Sequence, residues 1–411
     1  MHEIWPHWVV AHESAHAAIS GDRHRVAPPP AAALWPGRRK KILLLSASAG
    51  AGHGRAAGAL MEDFSRHPAA GEIAHWDMLQ YATGIFRYAY SRGYLNLVKI
   101  SPGTMGWIYG RTDQPWKNQK LRLAFEKYNA PRFLRAVTSF NPDVIVCTHF
   151  TPANLTAFLY DKKKIAAPPA IAITDLDCHA MWLVRSYERY FVALDETRAY
   201  LEQLGIQPER ITVSGIPVHP AFRQLADKQA ARQKLGLAPH LFTVLVCAGG
   251  HGIGPIASCI RELRRLESPA QVVAIAGRAE ALKNTLDALA AQQGAGARVP
   301  LTAVGFTMCM ELYMAAADIV ITKPGGLTTS EALAAGVPLC IINPLPGQEE
   351  RNSDHLLEAG AAIRCNNLPT LPHKIQQLIN NPDRLAQLAA NARAMGRPLA
   401  GQTIVRCLLG G

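Results

Sequence analysis

The stretch from Ile319 to Gly360, reading IVITKPGGLTTSEALAAGVPLCIINPLPGQEERNSDHLLEAG, constrains the fold more than any other part of the chain. A β-branched run enters a Pro-Gly-Gly turn and then a helix-forming segment. A strand, a glycine turn and a helix start gather unpaired backbone N–H groups and the positive end of the helix dipole at one place, which suits a phosphate. Glu331 falls one to two turns into that helix, within reach of a ribose joined to such a phosphate. A second strand, Val337 to Ile342, ends in Pro346-Gly347-Gln348-Glu349, with Asn352 beyond. Polar groups at a strand's carboxyl end are where open α/β sheets bind ligands. The order of parts points to a nucleoside diphosphate with a sugar beyond it.

Strand–loop–helix units recur along the chain. Ile42 to Leu45 runs into the small-residue loop Ser46 to Ala57, which contains Gly50, Gly52, His53 and Gly54. The glycines fit the dinucleotide spacing G-x-G-x-x-G poorly. They leave two readings open, an anion-binding turn or glycines that only permit tight packing. His53 could titrate near neutral pH as a general base, or simply cap a helix. Asp143 to Thr148 reads as a buried strand with His149 at its end. Ala170 to Thr174 leads into Asp175-Leu176-Asp177-Cys178-His179-Ala180-Met181-Trp182. Its D-x-D triplet is a weak metal signal, and Asp175 could equally cap a turn. Phe242 to Cys247 restarts the pattern before Gly250-His251-Gly252, a second phosphate-side loop.

These residues closely resemble a family of glycolipid glycosyltransferases, the monogalactosyldiacylglycerol synthases and diacylglycerol β-glucosyltransferases, related more distantly to the lipid II-forming glycosyltransferase. Lys323-Pro324-Gly325-Gly326-Leu327-Thr328, Glu331, Pro346-Gly347-Gln348-Glu349 and Asn352 carry the likeness, with the G-x-G-H loop at Gly50 to His53 and the T-D-L…H…W segment from Thr174. The resemblance spans roughly residues 40 to 395. It implies an α/β GT-B fold, two doubly wound Rossmann-like domains facing a central cleft. It also implies inverting transfer of a hexose from a UDP-sugar to diacylglycerol, with UDP-glucose and UDP-galactose undistinguished. His53 would be the base, supported by Asp175. Gly52, His179 and Trp182 would line the acceptor side. The donor would meet Gly250, His251, Gly252, Phe306, Lys323, Gly325, Gly326, Leu327, Thr328, Glu331, Gln348, Glu349 and Asn352. No metal or other cofactor is expected. A UDP-sugar epimerase or hydrolase of the same architecture, or a transferase using another lipid, is the alternative.

Residues 1–38 read as a variable extension and linker, and their His12-Glu13-Ser14-Ala15-His16 matches a zinc-protease signature without the domain such an enzyme needs. Residues 39–218 would bind the lipid acceptor, 219–240 link, 241–395 bind the UDP-sugar, and 396–411 form a terminal helix or tail. With 43 Lys and Arg against 31 Asp and Glu, the net charge of +12 favours polyanions. Tyr81 to Lys127 interleaves aromatic and basic residues. That suits an anionic membrane surface, single-stranded nucleic acid or an ordinary amphipathic layer, and the resemblance selects the membrane over nucleic acid. Eight dispersed cysteines, with no C-x-x-C pair or visible signal peptide, fit a cytoplasmic protein peripheral on the inner face of the membrane.

Overall fold

A computed structural model describes residues 24–26, 37–93, 101–250, 252, 254–294 and 296–410. His251 and the His12–His16 motif lie outside the described residues. The chain forms two parallel sheets with helices on their faces. The first comprises β1 (His24–Val26), β2 (Lys40–Ser46), β3 (Ala70–Asp77), β4 (Val144–Cys147), β5 (Pro169–Ala172), β6 (Tyr190–Val192) and β7 (Ile211–Val213). Its order is β1-β3-β2-β4-β5-β6-β7, parallel except for β1, which pairs antiparallel with β3. Within residues 1–38, read from the sequence as a variable extension and linker, His24–Val26 form a strand at the sheet edge.

The second sheet comprises β8 (Phe242–Cys247), β9 (Ala270–Ile275), β10 (Leu301–Val304), β11 (Ile319–Thr322), β12 (Leu339–Ile342) and β13 (Ala362–Cys365). It runs β10-β9-β8-β11-β12-β13, all parallel. The order reverses between β2 and β4 in the first sheet and between β8 and β11 in the second. Loops leaving those strands at their carboxyl ends open a crevice, and ligands of such sheets bind there. His53 follows β2, His149 follows β4, the glycine loop at Gly250 follows β8, and Gly325-Gly326 follows β11.

Both faces of each sheet are covered, which explains near-continuous apolar strands rather than alternation. Along β2, Leu43 and Leu45 enter one core cluster while Ile42 and Leu44 enter another. The second cluster holds Leu60 and Phe64 from α1 (Ala51–Ser65). It also holds Ile404 and Val405 from the last helix, Ala400–Leu409. The terminal segment thus completes the core of the first half.

The expected linker is also partly core. The helix Lys228–Lys234 docks on the second half through buried Arg232. Arg232 donates to Ala316 O at 3.0 Å and Pro239 O at 2.6 Å, and pairs with Asp318 at 2.6 Å.

Candidate functional site

Helix α1 starts at Ala51 after Gly50, and α2 (Gly326–Ala334) starts after Gly325. Neither start has a side-chain cap or an acidic residue in its first turn, so neither positive dipole end is offset locally. The first intrahelical bond of α2 runs from Thr329 N–H to Gly325 O at 3.0 Å, leaving the amides of Gly326, Leu327 and Thr328 ahead of it. The two starts meet across the crevice. A Cβ added to Gly52 would lie 3.6 Å from Leu327 Cβ, and one added to Gly250 would overlap Ala51. Glycine is required at Gly326, where a Cβ would fall inside the Thr174 carbonyl oxygen.

His53 stands in the first turn of α1, half-buried. Its Nδ1 lies 2.9 Å from Thr148 O and 2.8 Å from Thr174 Oγ1. A carbonyl can only accept, so Nδ1 carries the proton, and the neutral ring keeps its lone pair on Nε2. Nε2 has no partner among the described residues. Thr148 grips the histidine a second time, its hydroxyl donating to His53 O at 2.9 Å. Desolvation lowers the His53 pKa to about 4, against the opposing bond to Thr148. His149 packs edge-on at 4.7 Å between ring centroids, and Trp182 lies 6.5 Å away. His149 was noted in the sequence only as a strand end. Its Nδ1 accepts from Thr151 N–H at 3.2 Å, capping the next helix, Phe150–Asp161, and burial holds it neutral.

Asp175 follows Thr174 and is buried. Its Oδ1 accepts from Gln348 Nε2 and from Asn352 Nδ2 at 3.5 Å, both on α3 (Gln348–Glu358) of the other half. Desolvation raises its pKa to about 6 despite these donors. Asn352 is fully buried, its Oδ1 accepting from Leu176 N–H at 2.9 Å and its Nδ2 donating to Pro324 O at 3.0 Å. It was expected against the donor, and here its amide is spent in bridging the halves beneath the crevice. Glu349 pairs with Lys323 at 3.2 Å and accepts from Leu345 N–H at 2.8 Å, so both are bonded within their own half. The second aspartate of D-x-D, Asp177, pairs with Arg351 at 3.1 Å, and Arg351 also reaches Asp113 at 2.6 Å.

Glu331 is buried on α2 and pairs through Oε1 with Arg55 of α1. Its Oε2 has no hydrogen-bond partner, and burial raises its pKa. Gly252, at φ 64°, takes a conformation costly for other residues. Phe306, just past β10, is half exposed, with the Arg278 guanidinium 4.9 Å above its ring.

His179 and Trp182 are buried rather than open to the crevice. His179 Nδ1 accepts from Met181 N–H at 3.1 Å, which places its proton on Nε2, 3.0 Å from Tyr109 O. It thereby anchors the helix Pro102–Thr112. That helix also meets the loop before α3, where a Cβ at Gly347 would lie 2.6 Å from the Tyr109 ring. Nine large hydrophobic side chains stand exposed among the described residues. Six of them, Ile85, Tyr88, Trp107, Leu121, Phe125 and Tyr128, lie in this region and are 54 to 84% exposed. Its acids are withdrawn, Asp113 into the pair with Arg351 and Glu126 into the core, while Arg111 rests over Trp107 at 5.3 Å. The result is an apolar, basic face. No helix of the described residues is long and apolar enough to cross a membrane.

Arg55, Thr148, Asp113 and Arg351 were not singled out in the sequence. Each acts through a partner 95 or more positions away, which no local pattern encodes.

Two family profiles match this chain, described as monogalactosyldiacylglycerol (MGDG) synthase over residues 53–218 and as the glycosyltransferase family 28 C-terminal domain over residues 243–404. A processive diacylglycerol beta-glucosyltransferase of Bacillus pumilus is 28% identical over 366 residues, covering 89% of this chain and 94% of that one. The enzyme of that name from Staphylococcus aureus (strain Newman) is 28% identical over 377 residues, covering 90% and 93%. Among solved structures, Acinetobacter baumannii MurG superposes with a TM-score of 0.60 at 18% identity, covering 90% of this chain and 99% of that one. Staphylococcus aureus MnaA, solved with UDP, gives 0.60 at 13%, covering 89% and 95%. The fold is GT-B, two α/β halves about a cleft.

Proposed function

We propose that this chain, which belongs to the glycolipid glycosyltransferase family of the monogalactosyldiacylglycerol synthases and diacylglycerol glucosyltransferases, moves a hexose from a UDP-sugar to the free hydroxyl of diacylglycerol with inversion. The observation that carries this reading is the meeting of two uncapped helix starts at the turn that holds His53, whose Nδ1 is bonded and whose Nε2 is left with its lone pair. A diphosphate suits the helix starts, and a hydroxyl to be deprotonated suits the lone pair. The acceptor proton passes to Nε2 as the acceptor oxygen bonds the anomeric carbon. The bond from that carbon to the diphosphate oxygen breaks, and UDP leaves with its electron pair. Fixed amide dipoles stabilise the departing charge without reorganising. Thr148 O, already bonded to Nδ1, offsets the positive ring that forms, and Asp175 follows Thr174 as the supporting carboxylate. Glu331 Oε2 is an acceptor suited to ribose hydroxyls, and Phe306 offers a face for the uracil.

The test uses diacylglycerol in anionic vesicles, with UDP-glucose or UDP-galactose, with and without EDTA. Hexosyl-diacylglycerol formed equally under EDTA is expected, and its mass-resolved donor dependence names the sugar. Free hexose or an altered UDP-sugar with no lipid product would overturn the reading.

The aromatic-basic face is the membrane contact in this proposal, placing the protein on the cytoplasmic face of the membrane. Rings settle at headgroup level while cations meet anionic lipid. The triple substitution Trp107→Ser, Leu121→Ser, Tyr128→Ser removes three apolar side chains that are 62 to 83% exposed. Vesicle sedimentation should show affinity falling tenfold or more, with UDP affinity unchanged. Unchanged sedimentation would remove this surface from the proposal.

A further inference from the structure

The pair between Arg55 and Glu331 has no part in the transfer chemistry derived above. Helices α1 and α2 run side by side from their meeting point. Gly52 stands against Leu327, and a turn further on the Arg55 guanidinium reaches Glu331 Oε1. The two partners differ sharply in surroundings. The Glu331 side chain is 1% exposed, with Oε2 unpartnered, whereas that of Arg55 is 34% exposed. Arg55 is the fifth residue of α1, so its Cα lies about 6 Å along the axis from the helix start. Its side chain can therefore serve either the buried carboxylate or an anion held at the two helix starts.

We propose that Arg55 has two stations in the donor site: Glu331, and the donor's diphosphate once ribose hydroxyls have taken Glu331. The inference rests on the reading that this cleft takes a UDP-sugar. Ribose hydroxyls donating to Glu331 satisfy Oε2 and compete for Oε1, which releases the guanidinium. Its planar fork matches phosphate oxygens in a bidentate manner, and the uncapped helix ends already favour an anion there. The cation then arrives together with the donor and faces the charge that develops on the leaving group. A nucleoside without phosphates gains nothing from this exchange, since it must break the Arg55–Glu331 pair and offers the guanidinium no second partner.

Calorimetric titration of uridine and UDP against the wild type, Arg55→Gln and Arg55→Lys tests this. Arg55→Gln should weaken UDP tenfold or more while leaving uridine unchanged or tighter, so the affinity ratio of UDP to uridine falls at least tenfold. Arg55→Lys keeps a charge without the fork and should give an intermediate ratio. It also supplies the answer if loss of the counter-ion leaves Arg55→Gln unfolded by circular dichroism. Equal weakening of both ligands in the variants would make Arg55 only a counter-ion for Glu331 and overturn the proposal. A wild type that binds neither ligand would overturn the donor reading itself, and this inference with it.

Discussion

Replacing His53 by alanine should lower turnover by 10²- to 10⁴-fold, the range for loss of a positioned general base, while UDP affinity stays within about threefold in the same calorimetric titration. The separation follows from placement. His53 meets Thr148 and Thr174 of its own half, whereas, the start of α1 and Arg55 apart, the residues expected to hold the nucleotide stand on the other. The pH profile adds a sharper check. Both candidate groups act deprotonated, so each gives a limb on which activity falls as pH drops. Burial has pulled His53 down to about 4 and pushed Asp175 up to about 6. Activity in kcat/KM should therefore fall below about pH 6 through protonation of Asp175, not through the histidine. In Asp175→Asn the remaining rate should lose that limb and fall only nearer pH 4. A limb near pH 6 that survives Asp175→Asn would assign it to another group.

Gly326→Ala is expected to be as damaging, without removing any functional group. The added Cβ meets the Thr174 carbonyl oxygen, which is backbone and cannot rotate away. The halves must part by about an ångström, and a misplacement of that size can cost on the order of 10²-fold in rate. Gly325→Ala is the control. Its Cβ would find nothing nearer than Glu349 Oε1 at 4.0 Å, and its φ of −70° suits any residue. Turnover should fall about 10²-fold in the first variant and less than about threefold in the second, with both melting near the wild type. Equal activity of the two would mean that the contact between Gly326 and Thr174 is not needed for transfer.

The strands, the two glycine loops and the helix starts were legible in the sequence because each is local. Apolar runs of four to seven residues and turns of small residues encode them within one window. The positions of His53, Asp175 and Lys323 just past strand ends, and of Glu331 in the helix after β11, were legible for the same reason. Their partners were not. Glu331 was expected to face a ribose, and no local pattern signals that Arg55 would reach it from the opposite half. Asn352 was expected against the donor, and no local pattern signals that Leu176 and Pro324 occupy its amide. His179 matched a motif, yet its two nitrogens serve the backbone at Met181 and Tyr109. Buried polar groups acquire partners wherever the fold brings them, and sequence separation carries no trace of that.

The return of the last helix to the first sheet bears on how the protein is made. Synthesis proceeds from the amino end, and domains generally fold as units in that order. Here the face of α1 that presents Leu60 and Phe64 is covered by Ile404 and Val405, which are joined only after β13. The first half cannot finish its core from its own stretch of sequence. Its completion comes after the second half exists, so a nascent chain that stops before Ala400 carries an open apolar seam on α1.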